Sequence, residues 1–172
     1  MKQLAAALLL TAFLLPDAYA QGDVRDELMR HFGMSSQKME RLAEAMPADL
    51  YEWAPAEGLM SVAKVYAHIA RYNYMYLEDN LGIPVPDGVD LSSMESETDK
   101  EVVRSMLTAS IAHVREHVPG LDGEALESVS NLYGRDVPAW AVLTQLVAHM
   151  NEHVGQAVAY ARFNGIVPPW SS

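Results

Sequence analysis

Near its C-terminal end the chain reads A-H-M-N-E-H-V-G-Q-A-V-A-Y, Ala148 to Tyr160. Histidines four apart on a helix lie about 40° apart around its axis, so His149 and His153 project together. Both imidazoles can then reach one metal ion. Gln145, Glu152, Gln156 and Tyr160 lie on or beside the same face, as do Val142 and Leu146. A polar cluster in a helix that must bury one side needs partners for its polar groups. By itself the spacing suits a surface pair as well as a ligand pair. His149 to His153 also fits H-x-x-E-H, a zinc-peptidase pattern in which Glu152 would be the general base. Proteins with that pattern place a further glutamate ligand downstream, and the nineteen residues after His153 include no acidic one. The peptidase reading is therefore set aside.

Four more histidines complete the set of six. His113 and His117 repeat the spacing in H-V-R-E-H, a charged context at the end of a helix. A cationic side chain is favoured there by the helix dipole, so this pair reads as surface residues. His31 follows Arg30 and reads as partly exposed. His68 stands in the apolar stretch V-Y-A-H-I-A, where it is either a hydrogen-bonded core histidine or a ligand. A helical bundle builds metal sites from side chains on facing helices. His68 with His149 and His153 would supply three nitrogen ligands and leave a position open, as catalytic sites do. Three imidazoles suit Zn, Ni or Fe alike.

The elements that must position these residues are helical. Val24, Leu28, Phe32, Met39, Leu42 and Met46 recur at helical spacing over 23–46, with Gly33 weakening the middle and Pro47 ending the helix. A second pattern spans 59–81, with Gly82 as its C-terminal cap. A proline-containing loop follows to Glu95, long enough to cover a pocket. Ser96-Glu97-Thr98-Asp99 resembles a capping box for a third helix that Pro119-Gly120 stops, and Asp122 caps a single turn through Leu126. The fourth helix is predicted from Pro138 at its first position to about Asn164, with Gly165 beyond it. No window alternates with a two-residue period for long, so a sizeable sheet is not expected. The pattern reads as an all-α, four-helix bundle.

Composition narrows the function. The 172 residues carry a formal charge of −11 with no basic run, which argues against nucleic acid as a partner. Lys2, the apolar stretch Leu4–Leu15 and Ala18-Tyr19-Ala20 have the form of a secretory leader, too short to span a membrane. The expected organisation is a leader over 1–20 and one domain over 21–172, exported to the periplasm or beyond, with no membrane anchor after cleavage. With no cysteine, packing alone must hold the fold.

Two stretches carry a family resemblance. They are E-W-A-P-A-E-G-L-M-S-V-A-K-V-Y-A-H-I-A-R-Y-N-Y, Glu52 to Tyr74, and H-M-N-E-H-V-G-Q-A-V-A-Y-A-R-F-N-G-I-V-P-P-W, His149 to Trp170. In these the chain resembles the DinB-like family, named for DNA-damage-inducible proteins, over nearly all of 21–172. The resemblance implies a four-helix bundle holding one metal on His68, His149 and His153. It also implies that Gly155 is small so that the second helix can approach closely. Characterised relatives look like metal-dependent transferases or isomerases that use a small thiol, and often form homodimers. An exported chain sits apart from cytoplasmic thiols, which leaves hydrolysis of a small molecule beside thiol transfer. A metal-binding, stress-associated protein without turnover is the other class. Glu152, about 60° from His149 and 100° from His153, discriminates: it faces the pocket as a base, or it faces solvent.

Overall fold

A computed structural model of the protein describes residues 17–171. Most of the expected leader lies outside the described residues; its last four, 17–20, belong to the backbone of the first helix. The order is α1 (Asp17–Ala45), α2 (Val62–Leu81), α3 (Lys100–His117), a short α4 (Gly123–Glu127), strands β1 (Val129–Leu132) and β2 (Arg135–Pro138), and α5 (Trp140–Phe163). Short 3-10 turns occupy Ala48–Leu50, Met94–Ser96 and Val118–Gly120.

Helix ends follow local chemistry. Ser61 caps α2 by accepting from the Lys64 N–H, so the helix starts at Val62 rather than Leu59. Gly82 ends it in the left-handed conformation at φ 67°, and Ile83 N–H returns to the Leu77 carbonyl. The expected capping box is replaced by a simpler device. Asp99 alone caps α3, accepting from Glu101 and Val102 N–H, while Ser96 closes the preceding 3-10 turn. Asp122 caps α4 as expected, through Ala125 N–H. α1 runs unbroken through Gly33.

Pro138 does not open the last helix. It ends β2, paired with Val129 in an antiparallel hairpin, and α5 starts two residues later. With no N–H to give, proline suits the end of an edge strand. The hairpin was not expected from the sequence because its strands are four residues each, and neither Val-Ser-Asn-Leu nor Arg-Asp-Val-Pro alternates apolar with polar residues.

α1 packs against α5 and α3, and α2 packs against the same two helices, giving the order α1–α5–α2–α3 around the bundle. Phe32, Met39 and Leu42 from α1 meet Ile69 and Leu77 from α2, Leu107 and Ile111 from α3, and Leu143 and Met150 from α5 in one buried core. Each such side chain contributes about 1.5–3 kcal/mol by leaving water. Along the α2–α5 seam, His68 faces His149 and His153, whereas Tyr76, two turns further on, faces His149 and Gln145. The two helices are therefore antiparallel there. No helix among the described residues is long and apolar enough to cross a membrane.

Candidate metal centre

His68, His149 and His153 converge across this seam. One ring nitrogen from each lies within 4.8 Å of the other two. His149 and His153 are buried, and their Nε2 atoms are 3.2 Å apart. The i, i+4 spacing supplies that pair, and α2 supplies the third imidazole only because the bundle sets it opposite.

The rings are held from behind. Glu95 Oε1 lies 2.9 Å from His68 Nδ1. A carboxylate accepts, so Nδ1 carries the hydrogen and the Nε2 lone pair is free for a cation. Gln156 Oε1 does the same for His153 Nδ1 at 2.7 Å, and Gln156 Nε2 donates to the Tyr160 hydroxyl at 3.0 Å. Trp53 packs edge-on against the Tyr160 ring at 5.5 Å. Tyr72 covers the other side, with its ring 4.3 Å from that of His68 and 4.9 Å from that of His149. These contacts fix imidazole orientation before any ligand arrives.

The electrostatics suit a cation. Burial lowers the His149 pKa to about 3, helped by repulsion from His153 and His68. Burial also lowers that of His68, opposed in part by its bond to Glu95. Both are neutral at pH 7, the state in which imidazole ligates metal. Near the rim, Glu95 also meets Arg71 at 3.4 Å and Lys64 at 3.8 Å. The donor set therefore fits a divalent transition metal: three imidazoles, with the ring hydrogens of His68 and His153 anchored elsewhere.

The remaining candidates lie elsewhere. Glu152 is exposed, turned away from the imidazoles that flank it in sequence. H-x-x-E-H thus lacks an inward glutamate. Gly155 is exposed too, and a Cβ there would meet nothing within 4 Å. The implied close approach of α2 at Gly155 is not what the structure has. Gln156, which carried no role in the sequence reading, anchors His153. His31 is exposed and pairs with Glu27. The His113 and His117 rings lie tilted, 4.3 Å apart, on α3 with no third ligand beside them among the described residues. His113 differs from expectation in being buried, against Tyr74 at 5.3 Å. A depression of about 210 Å³ between α1 and α3, bordered by Glu40, Arg41, Glu44 and Arg104, includes none of the histidines.

Glu95 is the site residue that sequence reasoning missed. It lies 27 positions from His68 at the end of an irregular loop, beyond the reach of any helical periodicity. The one available signal was the length of the loop.

An all-α bundle with an inward histidine cluster defines the class, and sequence comparison gives the family. The model of the DinB family matches residues 18–172, and the chain belongs to that family. An uncharacterized protein of Bacillus subtilis (strain 168), YjoA, is 23% identical over 143 residues, covering 81% of this chain and 90% of its own. The crystal structure of a DinB-like protein from Bacillus cereus ATCC 10987 superposes with a TM-score of 0.69 at 16% identity, over 84% of this chain and 95% of that one. That of YjoA gives 0.64 at 24% identity, over 82% and 94%. At these identities the structural likeness is one of fold.

Proposed function

We propose that His68, His149 and His153 hold one divalent transition metal, Zn, Ni or Fe, and that the protein is a metal-dependent enzyme for a small molecule. One observation carries this reading: three imidazole nitrogens from two helices lie within 4.8 Å of one another. When bound, such a metal lowers the pKa of a coordinated thiol or water and so supplies a nucleophile for transfer or hydrolysis. The chain's own residues do the positioning. Glu95 and Gln156 hold two rings in one tautomer, and Tyr72 packs against His68 and His149. Glu152 faces solvent and takes no part as a base. Export is part of the proposal, resting on the leader pattern over 1–20. It favours hydrolysis over transfer to a cytoplasmic thiol. The charge of −11 argues against a nucleic-acid substrate.

A second reading, metal binding without turnover, is favoured by the position of Glu95. That carboxylate is already engaged by His68, Arg71 and Lys64 and so is not free to act as a base.

The test is elemental mass spectrometry on the untagged protein, 21–172, beside His149→Ala. About one metal per chain in the parent, lost in the variant, is the expected result. No metal in the parent after reconstitution with Zn and Ni overturns the proposal. Turnover of small esters or of thiol acceptors, abolished by chelation and restored by metal, separates the enzyme from the binding protein. N-terminal sequencing of protein from the periplasmic or culture fraction checks export, with Gln21 expected first.

A further inference from the structure

Access to the three histidines is unequal. His149 and His153 are buried, whereas 13% of the His68 side chain is exposed. The charged side chains beside it are open too: Glu95 at 24%, Arg71 at 34% and Lys64 at 46%. Solvent therefore meets the cluster on the His68 side, at the rim where α2 and the turn carrying Glu95 come together.

The charge of this rim follows from the sequence. Lys64, His68 and Arg71 stand at i, i+4 and i+7, which puts them on one face of α2. Both cations approach the same carboxylate: Lys64 Nζ lies 3.8 Å from Glu95 Oε2, and Arg71 Nη1 lies 3.4 Å from Oε1. Two cations face one carboxylate, so one positive charge is left over, in a chain whose net charge is −11. A local field opposite in sign to the overall one draws anions to this spot.

Arg71 is the better placed of the two cations. Its bond to Glu95 is longer than an ordinary N–H···O bond, and its other N–H groups have no partner among the described residues. The guanidinium is held instead by packing over the Tyr72 ring at 5.3 Å, and that ring lies 4.3 Å from the ring of His68. Glu95 Oε1 touches both His68 Nδ1 and Arg71 Nη1, so one carboxylate oxygen spans the gap between imidazole and guanidinium. A stacked guanidinium with free donors is a fork for a second carboxylate, and Lys64 has no such fork.

We propose that Arg71 is a specificity-determining residue, pairing with a carboxylate on the small molecule bound at the histidines. The ligand class is a short acid that carries its metal-binding atom near its carboxylate. This rests on the reading of His68, His149 and His153 as metal ligands and adds to it the charge of the ligand.

The test uses the Co(II)-loaded protein and the probes mercaptopropionate, mercaptoethanol and cysteamine. These carry the same thiol on the same short stem and differ in charge at the far end. A bound thiolate shifts the cobalt spectrum, and titration gives each dissociation constant. The acid is expected to bind about tenfold tighter than mercaptoethanol, with cysteamine weakest. That preference should shrink as salt is raised. Arg71→Leu should bring the acid to the level of the neutral probe, and Arg71→Lys should keep part of the preference. Arg104→Leu removes a cation beside the depression between α1 and α3 and should keep all of it. A parent that loads Co(II) but binds the three probes alike overturns the inference. So does an Arg71→Leu variant that weakens all three equally, because Arg71 would then act only by bracing Glu95. A parent that takes up no Co(II) overturns the metal centre itself.

Discussion

α5 and α3 each carry two histidines four residues apart, and the two pairs have different fates. On α5 the rings of His149 and His153 point across a seam at His68, and two Nδ1 positions at the site are occupied by Glu95 and Gln156. On α3, His117 turns its Nδ1 to the His113 carbonyl at 3.0 Å, as a helix-terminal side chain does. His113 packs on Tyr74 and lies beside the Pro84 backbone, while its buried Nε2 makes no well-aligned hydrogen bond among the described residues. Spacing brings two imidazoles together in both places. What makes one pair a candidate site is the third ring and the polar groups behind it. An imidazole is best held for a metal when its other nitrogen is satisfied elsewhere, as those of His68 and His153 are.

The comparison can be broken most directly by removing rings. His68→Ala, His149→Ala and His153→Ala are each expected to reduce retained metal to less than about a tenth, by elemental analysis after dialysis. His113→Ala and His117→Ala should leave it unchanged. Equal losses from both pairs would make the α3 histidines part of the site and end the distinction drawn here.

Supporting groups come next. Glu95→Ala and Gln156→Ala are expected to weaken metal binding about 10- to 100-fold in competition with a chelator, with the ligands themselves intact. Glu95→Gln, which can still accept from His68 Nδ1, should lose less. An unchanged affinity in Glu95→Ala would mean that packing against Tyr72 alone orients His68.

Protonation tests the buried imidazoles in the metal-free protein. The folded pKa of His149 is about 3, below its ordinary 6.5. Between those values the unfolded chain binds a proton that the folded one does not. Stability therefore falls as pH drops through this window, by up to about 1.4 kcal/mol per pH unit for one group. His68 and His113, also lowered by burial, add loss in the same direction. Urea midpoints at pH 7 and pH 5 measure it, and His149→Leu should flatten the dependence. His113→Leu should alter stability at pH 7 by less than about 1 kcal/mol, or raise it, because it removes a buried nitrogen without a well-aligned hydrogen bond.

The smallest effect concerns the helix that carries the ligands. Gly155→Ala adds a methyl group to open space on α5, and should stabilise by about 0.5–1 kcal/mol without loss of metal. A destabilised variant in thermal melts would restore the idea that α5 needs a small residue there.

Much of this was legible in the chain. Helices over 23–46 and 59–81 were marked by apolar spacing and by Pro47 and Gly82, and α1 and α2 differ from them by a few residues at most at their described ends, apart from the earlier start of α1. Asp122 and Gly82 acted locally, so their roles could be read without the rest of the fold. The hairpin was not legible, because neither of its short strands alternates apolar with polar residues. Pro138 fits the end of a strand as well as the start of a helix, and only the pairing with Val129 decided between them.

By itself the sequence determined the helical fold class, the pairing of His149 with His153, the candidacy of His68 as a third ligand, and the acidic character of a chain without basic runs. These depend on spacing and composition, which act over one or two turns or over the whole surface. Tertiary structure alone decided that His113 is buried rather than a surface residue, that Glu95 and Gln156 hold the rings, and that Glu152 faces water. Each is a question of which side of a helix meets which neighbour. Contacts between residues tens of positions apart are set by how the helices pack, and no local period encodes them.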